Sequence, residues 1–163
     1  MQYNAKAPYL VQTHWEIKKV IDGDSIIIKN RFSYEEKEIR LYGLDAPETK
    51  LSRKMQEDEQ KSNLPAHLLL ELGLEALQFV LSVAPPKTVV TIITEQDNFY
   101  DFWNRQLGYV ILPDGSCLND LLLQNGFAKA TQEYYCGRLA EFQAMNRQAQ
   151  LNNLGMYRKI RVF

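Results

Sequence analysis

Carboxylates and a guanidinium group recur at two places early in the sequence. Asp22 and Asp24 flank a glycine, and two residues apart in extended backbone they project from one face. Further along, Arg40, Asp45 and Glu48 follow each other where Pro47 must end a strand. Carboxylate and carbonyl oxygens suit a hard cation, and an incomplete oxygen shell leaves room for water and a phosphate. Taken singly, each motif is more often a turn or a solvated, charged strand end.

A second arginine would complete a phosphate site. Phosphoryl displacement builds negative charge on oxygens whose geometry guanidinium groups match with paired hydrogen bonds, so Arg40 and Arg105 together are a chemically sensible pair. Glu48 beside a metal-bound phosphate could accept a proton from an attacking water or orient it. A surface glutamate in a loop is the commoner case for any single Glu.

Aromatic residues crowd the loop just before Arg105. Trp103 and its neighbours could supply a face for base stacking, although aromatics in a loop more often cover the edge of a core. His14 and His67 form no ligand pair, and Cys117 and Cys136 have neither metal nor redox spacing, so we interpret both cysteines as free thiols.

The hydrophobic pattern predicts a barrel that would hold these residues. Three strands precede a leucine-rich helix over 66–84, which ends at Pro85, and two further strands and two helices follow. We interpret 1–8 as an N-terminal arm, 9–163 as a single domain, and the charged segment 50–65 as an inserted loop or frayed helix. This order predicts a β-rich α+β fold, a small closed barrel capped by helices.

Composition sets limits on function. The 163 residues include 45% hydrophobic and 24% charged residues, as in an ordinary globular protein, and the formal net charge is −1. A long, strongly held nucleic-acid interface is usually basic, so the charge argues against one. No apolar run approaches the roughly 18 residues that a membrane span needs, and the first 15 residues lack an export leader. The expected location is cytoplasmic by default, unless a leader has been removed.

Three separated motifs, with shorter matches beside and after them, closely resemble the staphylococcal (micrococcal) nuclease family, also called thermonucleases. The likeness covers most of the chain from Val20 to Tyr157 in the right order. It rests on Val20-Ile21-Asp22-Gly23-Asp24-Ser25, Arg40-Leu41, Leu44-Asp45-Ala46-Pro47-Glu48, Asp101-Phe102-Trp103-Asn104-Arg105-Gln106-Leu107-Gly108-Tyr109-Val110, Leu118-Asn119, Leu122 and Gly126-Phe127-Ala128-Lys129.

The resemblance implies an OB-fold, a five-stranded β-barrel with three α-helices. It also implies Ca²⁺-dependent hydrolysis of DNA and RNA phosphodiesters, preferably in single strands, to 5′-hydroxyl and 3′-phosphate ends. By that likeness Asp24, Asp45 and the Ala46 carbonyl bind the metal, and Asp22 supports them. Arg40, Glu48 and Arg105 would be catalytic, and Trp103 and Tyr134 would contact substrate.

Several departures from the family pattern leave questions open. Gln132 stands where relatives carry a tyrosine that packs on the nucleotide, the chain is near neutral, and 50–65 could gate substrate or mediate association. The competing interpretation is a catalytically weak OB-fold module that binds nucleic acid or protein. The sequence does not distinguish DNA from RNA, endo- from exonucleolytic cleavage, or one oligomeric state from another.

Overall fold

A closed five-stranded barrel forms the centre of the computed structural model, which describes residues 8–163. All but the last residue of the predicted arm 1–8 therefore lies outside the described residues. The strands are ordered β1-β2-β3-β6-β5 around the barrel, and a short pair, β4 and β7, lies beside it. Their bounds are Tyr9–Asp22 (β1), Ser25–Asn30 (β2), Glu36–Leu41 (β3), Leu44–Asp45 (β4), Val89–Glu95 (β5), Gln106–Ile111 (β6) and Lys129–Ala130 (β7).

The long strand β1 lets the sheet curl round on itself. Its first half pairs with β5 and its second half with β2, both antiparallel. The register shifts between Gln12 and Trp15, where His14 has a φ of 65°, so the strand bends at this point. A parallel pairing of β3 with β6 closes the barrel.

Branched aliphatic side chains from every strand fill the barrel. Ile17, Ile28 and Ile39 are at most 1% exposed, and Ile92 of β5 and Val110 of β6 are fully buried in the same core. β-branched residues pack well on a pleated surface, which explains why these segments form strands. The predicted five-stranded barrel of the OB type is therefore confirmed.

Four α-helices surround the barrel within residues 8–163, so the prediction of three was wrong. They span Arg53–Ser62 (α1), Ala66–Val83 (α2), Leu118–Gln124 (α3) and Leu139–Leu151 (α4), and a short 3₁₀ helix follows at Gly155–Arg158. The additional helix is α1, which forms within the segment expected to be a loop or frayed helix. The Ser52 side chain caps its N-terminus by accepting from the Met55 N–H, and Asn63 ends it in the left-handed conformation.

Helix α2 packs one face against the barrel and α1. Its buried positions, Leu69, Leu72, Gly73, Ala76 and Val80, recur at helical spacing. By length and composition alone α2 could also cross a membrane, so the expectation that no segment would do so fails this simple test. A buried face that recurs in this way is typical of a helix packed on a protein core.

Candidate active site

Two chain segments meet at one rim of the barrel and bring the aspartates together. In the turn between β1 and β2, the Asp22 carboxylate accepts a hydrogen bond from the backbone N–H of Asp24 at 3.1 Å. The Asp24 carboxylate in turn accepts from the backbone N–H of Ala46 at 2.9 Å. The turn is thus bonded directly to the residue that follows Asp45, and this places both aspartates in one cluster.

A tight turn after β3 sets the spacing between Arg40 and Asp45. Gly43 has a φ of +71°, and a Cβ at this residue would lie 2.5 Å from the Phe142 ring. Only glycine meets both conditions. The turn returns the chain so that β4 pairs with β7, and Asp45 then faces the end of β3.

Arg40 lies at the centre of the cluster and is only 2% exposed. One terminal nitrogen donates to three backbone carbonyls, those of Asp24, Leu41 and Leu44, at 3.0 to 3.3 Å. The other lies 3.3 Å from a carboxylate oxygen of Asp24 and 3.3 Å from one of Asp45. Burial opposes the charge, but the two carboxylates outweigh it and raise the pKa of Arg40. The guanidinium is therefore a fixed positive charge.

The carboxylates carry more negative charge than the buried guanidinium neutralises. Burial raises the pKa of Asp24 to about 7, against the opposing effect of Arg40 and with a further rise from Asp22. Burial and the charge of Asp24 also raise the pKa of Asp45. Two buried aspartates with raised pKa values indicate a place where an additional cation would be stabilising.

Glu48 is half-buried on the loop after Pro47. Burial and the charge of Asp24 raise its pKa to about 7, the range in which a carboxylate can exchange protons near neutral pH. The position of this loop depends on α2, because a Cβ at Gly73 would lie 2.1 Å from the Glu48 carbonyl oxygen. The helix backbone thus supports the Glu48 backbone directly.

Arg105 approaches the cluster from the start of β6. Its Nε donates to Asp101 at 2.7 Å and a terminal nitrogen donates to Glu38 at 3.2 Å. The same Asp101 carboxylate accepts from the backbone N–H groups of Trp103 and Arg105, and this fixes the intervening loop. Arg105 is thus oriented by two carboxylates and remains partly exposed, its side chain 27% accessible.

The two predicted substrate contacts differ in exposure. Trp103 is 64% exposed beside Arg105, so its ring can meet a ligand. Tyr134 is only 7% exposed, and its ring centre lies 3.7 Å from the Arg40 guanidinium carbon. This stacking covers one face of Arg40 and fixes its orientation.

A single cavity of about 550 Å³ is lined by every predicted site residue that was assigned through its side chain. These are Asp22, Asp24, Arg40, Asp45, Glu48, Trp103, Arg105 and Tyr134. Residues from β1, β3 and β4 and from the loops beside the barrel could meet only in the folded protein. The predicted roles stay predictions, but the predicted proximity is present.

Four further charged residues line the same cavity, and sequence reasoning assigned none of them a role. They are Arg53, Lys54 and Glu57 of α1, together with Glu133. Lys54 donates to Asp45 at 3.2 Å and to Asp58 at 2.7 Å. The i, i+4 spacing of Lys54 and Asp58 would have indicated that pair if the segment had been interpreted as a helix. Nothing in the sequence indicates the contact with Asp45.

The donor set fits a hard divalent cation. Within residues 8–163, no group of three or more His, Cys, Asp or Glu side chains forms a ready metal site. Asp24 and Asp45 nevertheless supply two buried carboxylates beside the backbone of Ala46, and oxygen ligands of this kind suit Ca²⁺ or Mg²⁺. With so few protein ligands, such an ion would keep positions for water and a phosphate oxygen.

Barrel and cleft together define a small α+β protein of the OB type with carboxylates and guanidinium groups gathered at one rim. The family model described as "Staphylococcal nuclease homologue" matches residues 38–159. The chain belongs to this family, as the resemblance predicted.

Two curated relatives carry related names. Endonuclease YhcR of Bacillus subtilis (strain 168) is 32% identical over 112 residues, which are 69% of this chain and 8% of that protein. An "Uncharacterized endonuclease" of Escherichia coli O157:H7 is 26% identical over 121 residues, 74% of this chain and 63% of that protein. The chain thus spans less than two thirds of either relative.

Proposed function

We propose that this protein is a metal-dependent nuclease that hydrolyses phosphodiester bonds of DNA or RNA. The observation that carries the proposal is the cavity in which two arginines, two buried aspartates and Glu48 meet in a chain of the staphylococcal nuclease family. The names of both relatives, which contain the word endonuclease, support the same activity.

We propose Ca²⁺ as the cofactor, held by Asp24, Asp45 and the Ala46 carbonyl, with Asp22 fixing the turn. When bound, the ion polarises a phosphate oxygen and neutralises negative charge. Two carboxylates with open positions for water and phosphate also suit Mg²⁺, so the choice of Ca²⁺ rests on the family resemblance.

The remaining residues supply the chemistry of hydrolysis. Glu48, with a pKa of about 7, orients an attacking water or accepts its proton. Arg40 and Arg105 hold the phosphate and stabilise the charge that accumulates on its oxygens in the transition state. In-line attack from the Glu48 side with departure of the 5′-oxygen gives 5′-hydroxyl and 3′-phosphate ends.

Single-stranded nucleic acid is the substrate form that the cleft favours. The exposed ring of Trp103 can stack on an unpaired base, which a duplex would keep hidden. The near-neutral net charge implies weaker binding, with less dependence on salt, than a basic nuclease would show.

Digestion of single-stranded DNA and RNA tests the proposal. We expect cleavage with Ca²⁺, none with chelator, and a loss of roughly 10²–10⁴-fold for Glu48→Gln, the range of general-base catalysis. Glu57→Gln is the matched control, because Glu57 is an exposed carboxylate that lines the same cavity without an assigned role. Fragments should accept phosphate at their 5′ ends without prior phosphatase treatment.

Two results would refute parts of this proposal. Equal cleavage by wild type and Glu48→Gln would remove Glu48 from the mechanism. Retained DNA binding without cleavage under any metal condition would instead favour the OB-fold binding module considered from the sequence.

A further inference from the structure

Helix α1 reaches the proposed metal site through one side chain. The Lys54 Nζ lies 3.2 Å from Oδ2 of Asp45, while Arg40 lies 3.3 Å from the other oxygen of the same carboxylate. Both oxygens of Asp45 therefore already face a positive charge that belongs to the protein.

The Lys54 ammonium also binds a second carboxylate, that of Asp58. Both oxygens of Asp58 accept from it, at 2.7 and 2.8 Å, and Asp58 is only 5% exposed. Met55, 1% exposed, anchors the helix beside it. The ammonium is thus placed between two carboxylates, one of which belongs to α1 itself and the other to the metal site.

A cation bound by Asp45 would lie close to this ammonium. Ca²⁺ sits about 2.3–2.6 Å from its carboxylate ligands, so ion and ammonium would share one small region and repel each other. Asp58 gives Lys54 an alternative partner within the same helix. The contact with Asp45 can then be lost without leaving the lysine unpaired.

We propose that Lys54 is a built-in counter-ion that competes with the metal for the Asp45 carboxylate and so couples α1 to occupancy of the site. This inference rests on the proposed function, because it requires a metal at Asp45. Coupling is reciprocal: the factor by which Lys54 weakens metal affinity equals the factor by which the metal weakens the Lys54–Asp45 contact.

Calorimetric titration of the protein with Ca²⁺ tests the competition. We expect Lys54→Met to bind Ca²⁺ about tenfold more tightly than wild type, as expected for removing one charge a few ångströms away in a partly exposed cleft. Arg53→Met is the matched control, since it removes the same charge from the neighbouring residue of α1, which lines the same cavity. Its affinity should change by less than about threefold, because solvent screens an exposed charge.

A second pair of variants tests whether an unpaired Asp58, and not the loss of the Lys54 charge, changes the Ca²⁺ affinity. Lys54→Met leaves the buried Asp58 without its partner, so Asp58→Asn is compared with the double variant Asp58→Asn/Lys54→Met. The double variant should again bind Ca²⁺ more tightly than the single one. Hydrogen exchange adds a structural measurement: Ca²⁺ should loosen the amides of α1 in wild type and leave those of Lys54→Met unchanged.

The outcomes separate this inference from the proposed function. Equal Ca²⁺ affinities for wild type and Lys54→Met, or equal effects of Lys54→Met and Arg53→Met, would overturn the competition and leave the metal site intact. Absence of Ca²⁺ binding to wild type would overturn the metal site and the inference with it.

Discussion

The substitution Asp24→Asn should make the metal-free protein more stable above neutral pH. Asp24 is 5% exposed, and its ionised form is disfavoured by burial and by the neighbouring charge of Asp22. An amide has the same shape without the charge. Its oxygen can still accept from the Ala46 N–H, and its NH₂ group can donate to Asp22, as the protonated acid does.

The pKa of Asp24 sets the size of the gain. Its value rises from 3.8 to about 7 on folding, and at about 1.4 kcal/mol per pH unit the ionised form costs up to roughly 4 kcal/mol at pH 8. This pKa already includes the attraction of Arg40, which opposes the rise, so loss of that ion pair is not subtracted again. We therefore expect a stabilisation of up to roughly 4 kcal/mol at pH 8.

Urea unfolding in chelator between pH 4 and pH 8 measures the gain. Because the folded-state pKa is raised, the stability that protonated Asp24 contributes is complete below pH 3.8 and is lost as the pH rises through about 7. The advantage of Asp24→Asn should therefore be small at pH 4 and complete at pH 8. Asp114→Asn is the control of opposite sign, since bonds from Ser116 lower the pKa of Asp114. A variant less stable than wild type at pH 8, or an advantage independent of pH, would refute the reasoning.

Three further substitutions probe other parts of the molecule. Arg105→Lys keeps the positive charge but loses the planar guanidinium that donates to both Asp101 and Glu38. Turnover should therefore fall at least about tenfold, while circular dichroism still shows a folded protein. Asn119→Ala should lower the free energy of unfolding by about 2–4 kcal/mol, because the buried amide bonds three backbone groups of the barrel; an unchanged urea midpoint would contradict this. Trp103→Ala should weaken binding of single-stranded DNA by roughly 1–3 kcal/mol in a fluorescence titration, whereas Phe32→Ala, an exposed aromatic on the β2–β3 turn, should not.

Much of the barrel could be predicted because its signals are local. Asp22-Gly23-Asp24 marks a turn, the runs after it alternate or are β-branched, and Pro85 ends the leucine-rich helix. The parallel pairing of β3 with β6 is different. It joins residues more than sixty positions apart, so no local pattern in the sequence indicates it.

Helix α1 shows why a charged segment is difficult to interpret from sequence. Its exposed residues are strongly polar, and only Met55 and Asp58 are buried. Two buried positions give no hydrophobic period that could be recognised. Tertiary contacts stabilise the helix, namely its packing against α2 and the ion pair of Lys54 with Asp45. The i, i+4 pair of Lys54 with Asp58 adds a local contribution.

The site was predictable in composition but not in detail. The residue types and their order in the sequence indicated five metal-binding or catalytic residues, namely Asp24, Arg40, Asp45, Glu48 and Arg105. Their burial and their mutual hydrogen bonds depend on the closed barrel, so the raised pKa values could not be derived from spacing. Nor could the sequence show that Tyr134 would cover Arg40 and leave Trp103 as the exposed ring.

Gly73 of α2 does not line the active-site cavity, but it packs closely against the Glu48 carbonyl. The cavity therefore depends on glycine at this helix position. Any side chain there must push the loop or the helix by more than an ångström, because a Cβ would lie 2.1 Å from the oxygen. In a saturation screen for nuclease activity, Gly73 should therefore tolerate no replacement, while the exposed Leu74 beside it tolerates many. Natural variation of this chain should be limited at Gly73 as strictly as at the residues that touch substrate.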